Sequence, residues 1–151
     1  MTVYLDANAT TSVLKPVADL VYKLMTEEFG NAGSRTHEFG AKAKQATEKA
    51  RAQIAAVVEA DKTEVIFTSG ATESNNIAIL GLESFGIENN KKHIITTKVE
   101  HKAVLEPVAH LESKGFEVTY LNVDKGGLID VNELKSSLRE DTLLVLSLIH
   151  I

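Results

Sequence analysis

From Glu64 onward, short apolar runs of β-type composition alternate with helical stretches, and this alternation restricts the fold more than any single motif does. Val65-Ile66-Phe67 reads as a strand, and a helix that begins near Thr72 carries Ile77, Ile79, Leu80 and Leu82 and ends around Phe85-Gly86. His93-Ile-Ile-Thr-Thr97 reads as the next strand, followed by a helix over about 103–114 with Gly115 as its C-terminal cap. Phe116-Glu-Val-Thr-Tyr-Leu121 alternates as a strand, Asp124-Lys-Gly-Gly127 turns the chain, and Asp130 caps a short helix over 131–138. Leu143-Leu144-Val145 starts another buried strand. Strand and helix in strict alternation predict an α/β layer with a mostly parallel sheet. Ligands of such sheets gather beyond the carboxyl ends of the strands. Thr68 to Thr72 and Glu100-His101 both follow strands, so both are expected on that edge.

Thr68-Ser69-Gly70-Ala71-Thr72 has the makings of an anion site. A first helical turn offers unpaired backbone N–H groups and the positive end of the macrodipole, and Gly70 lets a ligand come close to the backbone. Hydroxyls at Thr68, Ser69 and Thr72 add donors. The plainer alternative is a strand-to-helix connection whose hydroxyls only cap the helix. The stretch is not a Walker A loop, since no Gly-Lys-Ser/Thr follows, and the second and third glycines of a dinucleotide fingerprint are missing. His101 is the side chain best placed for chemistry, although a lone loop histidine is more often structural or solvated. Glu73 fits a helix-dipole role better than acid–base work. His37, His93, His110 and His150 show no helical pair or short ligand spacing, so no metal site is expected.

The first 64 residues carry architecture. Val3-Tyr4-Leu5 reads as a short strand leading into a small polar segment over 6–11. Pro16 suits the first position of a helix with Val17, Leu20, Val21 and Leu24 on one stripe, though Leu14 and Lys15 offer no capping acceptor. The turn-rich 29–37 stretch carries Arg35 and His37, either in a plain connection or in a loop facing a ligand. Ser34 or Thr36 is expected to cap a long second helix with Phe39, Ala43, Ala46, Ala50, Ile54 and Val57 on its packing face. Glu38 and Lys42 form an i,i+4 pair on its wet side.

Composition excludes several classes. With no cysteine among 151 residues, disulfides, a cysteine nucleophile and a cysteine-based metal site are all ruled out within the chain. A net charge of −5 without a basic stripe argues against direct nucleic-acid binding. No basic-then-apolar leader opens the sequence and no apolar run approaches membrane-spanning length, so a cytoplasmic domain is the default expectation.

Four motifs in order resemble the NifS/IscS-type cysteine desulfurases of the class V aminotransferase family. They are Tyr4-Leu-Asp-Ala-Asn-Ala-Thr-Thr11, Phe29-Gly-Asn31 with Ser34 and His37, Phe67-Thr-Ser-Gly-Ala-Thr-Glu-Ser-Asn75, and Glu100-His-Lys-Ala-Val104. The resemblance runs from about residue 3 to Val145. Where the family usually has Pro after the Asn of the Gly-Asn loop, Ala32-Gly33 stands here. That loop, with Leu80-Gly-Leu82 and Phe85-Gly86, is more similar to the branch that supplies sulfur for DNA phosphorothioation, with iron–sulfur cluster supply as the competitor. The resemblance implies part of the large domain of a fold type I pyridoxal 5'-phosphate enzyme. It implies that Ala71 and Thr72 bind the cofactor phosphate, and that His101 stacks on the pyridine ring and moves protons. The implied reaction converts L-cysteine to L-alanine, leaves the sulfur on an enzyme cysteine as a persulfide, and passes it to an acceptor protein from a homodimer. Selenocysteine lyases and class V transaminases share the fold and stay open as alternatives, as does a non-catalytic anion-binding domain.

In the family pattern the lysine that carries the cofactor, the aspartate on its ring nitrogen and the persulfide cysteine all lie beyond residue 151. An inactive N-terminal fragment is therefore expected. Residues 1–14 would associate with a missing small domain, and residues 15–145 would form the first part of the cofactor-binding domain. The family continues after its Leu-Val strand with Ser, two apolar residues and His, whereas Leu146 here shifts Ser147 and His150 by one place. Residues 146–151 are also the translation of CTG TCT CTT ATA CAC ATC, the start of a transposon end used as a sequencing adapter. They are expected to be adapter read-through.

Overall fold

A computed structural model of the chain describes residues 3–7 and 9–149. The chain falls into two compact units, Met1–Ile66 and Phe67–Ile151.

In the first unit, helix α1 spans Lys15–Thr26 with proline in its first turn and no side-chain cap from Leu14, as the sequence implied. Its apolar stripe is open to solvent at Val17, Leu20 and Val21. Helix α2 spans Glu38–Val57, and its cap is neither Ser34 nor Thr36. His37 takes that place: its Nδ1 accepts from Gly40 N–H at 3.2 Å, while its Nε2 lies 2.9 Å from Ser34 Oγ. The imidazole thus does what a shorter side chain usually does, and Ser34 holds the imidazole. Gly40 is required where it stands, since a Cβ would lie 2.7 Å from the Ser34 Cβ.

The buried face of α2 also differs from the expected stripe. Gly40 and Ala55 are buried and Ala43, Thr47 and Arg51 half-buried, while Phe39 and Val57 are exposed. The cause is the neighbour that arrives. The 3-10 turn Lys62–Glu64 packs against α2, and the Arg51 guanidinium donates to the Val65 carbonyl beyond it. Glu38 and Lys42 pair at 2.7 Å, as their spacing implied.

Two expected strands do not form. Val3-Tyr4-Leu5 and Val65-Ile66-Phe67 lie in no ladder among the described residues, and Leu5 and Ile66 are 88% and 69% exposed. An apolar run becomes a strand only when a second strand pairs with its backbone N–H and C=O groups; among the described residues no strand pairs with either run, and the Val65 carbonyl is taken by the Arg51 guanidinium instead.

The second unit realises the α/β alternation. Helices α3 (Ala71–Leu80) and α4 (Glu83–Glu88) precede strand β1 (His93–Thr97), helix α5 (Lys102–Ser113) and strand β2 (Glu117–Leu121). Helix α6 (Val131–Ser137) and strand β3 (Thr142–Val145) follow. The sheet is parallel throughout with order β2-β1-β3, and all five residues of central β1 are buried. The single helix expected from Thr72 to Gly86 is two helices, broken at Gly81. Glycine is a poor helix interior residue, and here its N–H closes α3 on the Ile77 carbonyl at 3.0 Å. The core joins Ile79, Ile94, Val104, Val108, Leu111 and Phe116, with Leu143, Leu144, Leu146 and Leu148 packed against it. Val104, Val108 and Leu111 recur at the i, i+4, i+7 spacing that turns one face of α5 inward. Gly86 meets this core so closely that a Cβ would sit 2.6 Å from the Lys91 carbonyl oxygen.

His93 ties the sheet together at the head of β1. It is fully buried, with Nδ1 2.9 Å from Thr142 Oγ1 on β3 and Nε2 2.9 Å from Thr119 Oγ1 on β2. Burial, then the positive charge of Arg139, push its pKa below the ordinary histidine value, against the smaller opposite pull of Asp141 and Glu117. The unfolded chain therefore takes up the proton before the folded chain does. The stability due to neutral His93 is fully present above about pH 6.5 and is lost as pH falls from there towards the lower folded value. Urea denaturation followed by far-UV circular dichroism between pH 7.5 and 5 should show this loss in the wild type and a flatter profile in His93→Gln. Parallel profiles would contradict the assignment.

Candidate functional site

The first turn of α3 has no side-chain cap, because its N-cap residue is Gly70. The first intrahelical bond runs from Ser74 N–H to the Gly70 carbonyl at 3.1 Å. Upstream of it the N–H groups of Ala71, Thr72 and Glu73 have no partner within the helix. Thr68 and Ser69, expected to offer hydroxyls to a ligand, spend them inside the turn. Thr68 Oγ1 donates to the Gly70 carbonyl at 3.2 Å and lies 2.7 Å from Ser74 Oγ. Ser69 gives its N–H (2.6 Å) and its hydroxyl (2.7 Å) to the Glu73 carboxylate. Glu73 thus folds back over the turn that precedes the helix. The Ser69 N–H, then the Ser69 hydroxyl, hold its carboxyl below the usual range. For a ligand there remain the backbone N–H groups of Ala71 and Thr72 and the Thr72 hydroxyl.

His101 is the N-cap of α5, and its Nδ1 accepts from Ala103 N–H at 3.0 Å. A neutral ring that accepts at Nδ1 carries its proton on Nε2. The residue before it, Glu100, is buried. Its Oε1 accepts from Thr97 Oγ1 (2.8 Å) and Ser147 Oγ (2.6 Å), and its Oε2 from the N–H groups of Leu148 (2.8 Å) and Ile149 (3.2 Å). Burial alone would raise its pKa, but the hydrogen bonds from Ser147, Leu148, Thr97 and Ile149 together outweigh burial and hold it low.

Between α3 and α5 runs a groove of about 420 Å³, lined by Thr72 and Asn76 on one side and by His101, Lys102, Glu106 and His110 on the other. The structure therefore brings two of the three expected site residues, Thr72 and His101, to one surface. Ala71 lies in the same first turn without lining the groove. Lys102 and Glu106 were passed over in the sequence and His110 was weighed only as a metal ligand, although their i, i+4, i+8 spacing on a helix capped by His101 was a readable signal. Arg35 and His37 belong to the first unit, where His37 serves as a helix cap. No helix among the described residues is long and apolar enough to cross a membrane.

The groove brings together an uncapped helical turn, which favours an anion, and an imidazole. Comparison with known proteins assigns the class. The aminotransferase class-V model matches residues 3–150, and the chain belongs to that family. Among its relatives, the cysteine desulfurase IscS of Neisseria meningitidis serogroup A is 55% identical over 143 residues, covering 95% of this chain and 35% of that protein. The cysteine desulfurase IscS of Salmonella paratyphi B is 50% identical over 151 residues, covering 99% and 37%. Among solved structures, DndA from Streptomyces lividans superposes with a TM-score of 0.82 at 56% identity, covering 95% of this chain and 40% of that one. A NifS-like protein gives 0.87 at 43% identity, covering 96% and 39%. SspA in complex with cysteine gives 0.86 at 40% identity, covering 95% and 41%. The chain thus spans little more than a third of the relatives it matches, and the mixed α/β fold with its parallel sheet is part of theirs.

Replacing Ser69 with Ala removes the weaker of the two holds on Glu73 and leaves the backbone bond. Carboxyl carbon-13 titration should find the Glu73 pKa moved part of the way back towards the ordinary glutamate value. An unchanged titration would show that the hydroxyl does not hold the carboxylate.

Proposed function

We propose that the chain is the N-terminal part of a pyridoxal 5'-phosphate-dependent cysteine desulfurase, and that the α3–α5 groove is its share of the cofactor site. The observation that carries this reading is the presence of Thr72, from an uncapped helical turn, and His101, a helix N-cap, on one groove. Family membership and relatives named cysteine desulfurase support it. Residues 15–145 are assigned to the cofactor-binding domain and residues 1–14 to a segment associated with a smaller one.

The N–H groups of Ala71 and Thr72 and the Thr72 hydroxyl bind the phosphate, where the helix dipole favours negative charge. When bound, pyridoxal phosphate supplies an electron sink for bond-breaking in an amino acid substrate. His101 would hold the ring and, with Nδ1 engaged by Ala103, would offer Nε2 as the atom that holds or moves a proton. Lys102, also on the groove, would add positive charge to it. The thiolate that takes sulfur from the substrate must come from outside these residues, since the chain has no cysteine.

L-cysteine is the substrate that the SspA complex supports, with transfer to an acceptor protein from a cytoplasmic homodimer. Sulfur supply for DNA phosphorothioation and for iron–sulfur clusters are both kept, because 56% identity to DndA and 55% to IscS do not separate them.

Titration of the nitrogen-15-labelled chain with pyridoxal phosphate tests the site. The Ala71 and Thr72 amide signals and the His101 ring signals should move together, and inorganic phosphate should reproduce only the amide part. Thr72→Val should weaken binding roughly fivefold, the worth of about one hydrogen bond. Movement confined to other residues would overturn the assignment.

A further inference from the structure

Proline has no N–H, and inside a helix it leaves the carbonyl four residues earlier without its bond. Pro107 stands in the interior of α5 and is buried, as is Ala103 before it. The Ala103 carbonyl thus lacks the N–H that would close on it, and a buried carbonyl left so is costly until another donor reaches it. Both residues at this gap line the α3–α5 groove. The gap lies further along α5 than His101, away from the turn that offers its N–H groups to an anion.

Glu106 adjoins Pro107 on the same groove and is exposed. Its carboxylate has no hydrogen-bond or ion-pair partner among the described residues. Lys102 forms no ion pair with it, in keeping with the less favourable order of lysine before glutamate on a helix. Leu80 and Pro107 give this stretch of the groove apolar surface. A carboxylate and an unbonded carbonyl within one helical turn, against apolar walls, suit a planar cation with several N–H donors. A guanidinium is such a cation: its fork meets two acceptors at once, and it is more weakly hydrated than an ammonium.

We propose that this distal half of the groove is a subsite for an arginine side chain of a partner polypeptide, its guanidinium shared between the Ala103 carbonyl and the Glu106 carboxylate. Glu106 is the one carboxylate among the residues that line the groove, so the α-ammonium of free arginine would find no second one. The subsite does not depend on the cofactor reading, since Thr72 and His101 take no part in it.

The test is a titration of the carbon-13-labelled chain, without pyridoxal phosphate, using N-acetyl-argininamide as the mimic of an arginine within a peptide. The Ala103 carbonyl and Glu106 carboxyl signals should move together and saturate. N-acetyl-lysinamide, with the same charge and no fork, should bind about fivefold more weakly, the worth of one hydrogen bond. Glu106→Gln should weaken the arginine compound about threefold, as for an exposed ion pair. Pro107→Ala restores the helical N–H to the Ala103 carbonyl and should bring the two compounds within about twofold of each other. Equal binding of both compounds to the wild type would overturn the proposal, as would signals that move only elsewhere or an arginine preference that survives Pro107→Ala. Tighter binding of free L-arginine than of its peptide mimic would overturn the polypeptide as occupant. If Pro107→Ala does not fold, the wild-type comparison and Glu106→Gln decide. Failure of pyridoxal phosphate to bind at Ala71 and Thr72 contradicts the cofactor reading alone.

Discussion

The pairing of β1 with a parallel neighbour on each side determines where everything functional in the second unit can lie. With β2 and β3 flanking it and all five residues buried, β1 delivers Glu100 and His101 to the carboxyl edge of the sheet. The next helix must start there, so its N-cap, His101, faces the same surroundings as the strand exit. Because α3 packs on α5, the small-residue turn before α3 comes to that edge too. The groove is a consequence of this topology: two helices that begin beside each other over a parallel sheet leave a space at their starts, with donors on both sides.

The two buried ionisable groups of the sheet sit at its opposite ends. His93 starts β1 and is kept neutral by burial, while Glu100 follows the end of β1 and is kept charged by four donors. Both give stability that is lost on the acid side, His93 below about pH 6.5 and Glu100 below the ordinary carboxylate range. The difference lies in what each one joins. The two hydroxyls on His93 cross-link three strands, so its role ends with the sheet. The donors on Glu100 join the exit of β1 to the segment that follows β3.

Elements whose partners lie inside the chain were legible in the sequence. β1, α5 with Gly115 after it, β2, the Asp130 cap and β3 all lie where periodicity and turn residues had put them, because each packs against a neighbour within a few dozen residues. Val3-Tyr4-Leu5 and Val65-Ile66-Phe67 have strand composition and no ladder, since pairing is not a property of one segment. His37 as a helix cap was missed because preference scales rank short oxygen-bearing side chains first, and Ser34 reaches the helix only through the imidazole. At the site, the placing of His101 was readable from motif and topology, whereas that of Thr72 was readable from its motif alone, because the strand expected before it does not form. The spending of Thr68 and Ser69 on Ser74 and Glu73 was not, because it depends on where a carboxylate one turn away comes to rest. Glu100 was read as part of a motif at a strand exit, and its four partners exist only after the strands have paired.

On the proposed reading, one groove between α3 and α5 receives a phosphate at the first turn of α3 and an aromatic ring beside His101. A crystal structure of the chain with pyridoxal phosphate decides it. The expected result is a phosphate within hydrogen-bond distance of the Ala71 and Thr72 N–H groups and a pyridine ring against the His101 imidazole. A phosphate bound away from that turn, or a ring out of reach of His101, would contradict it.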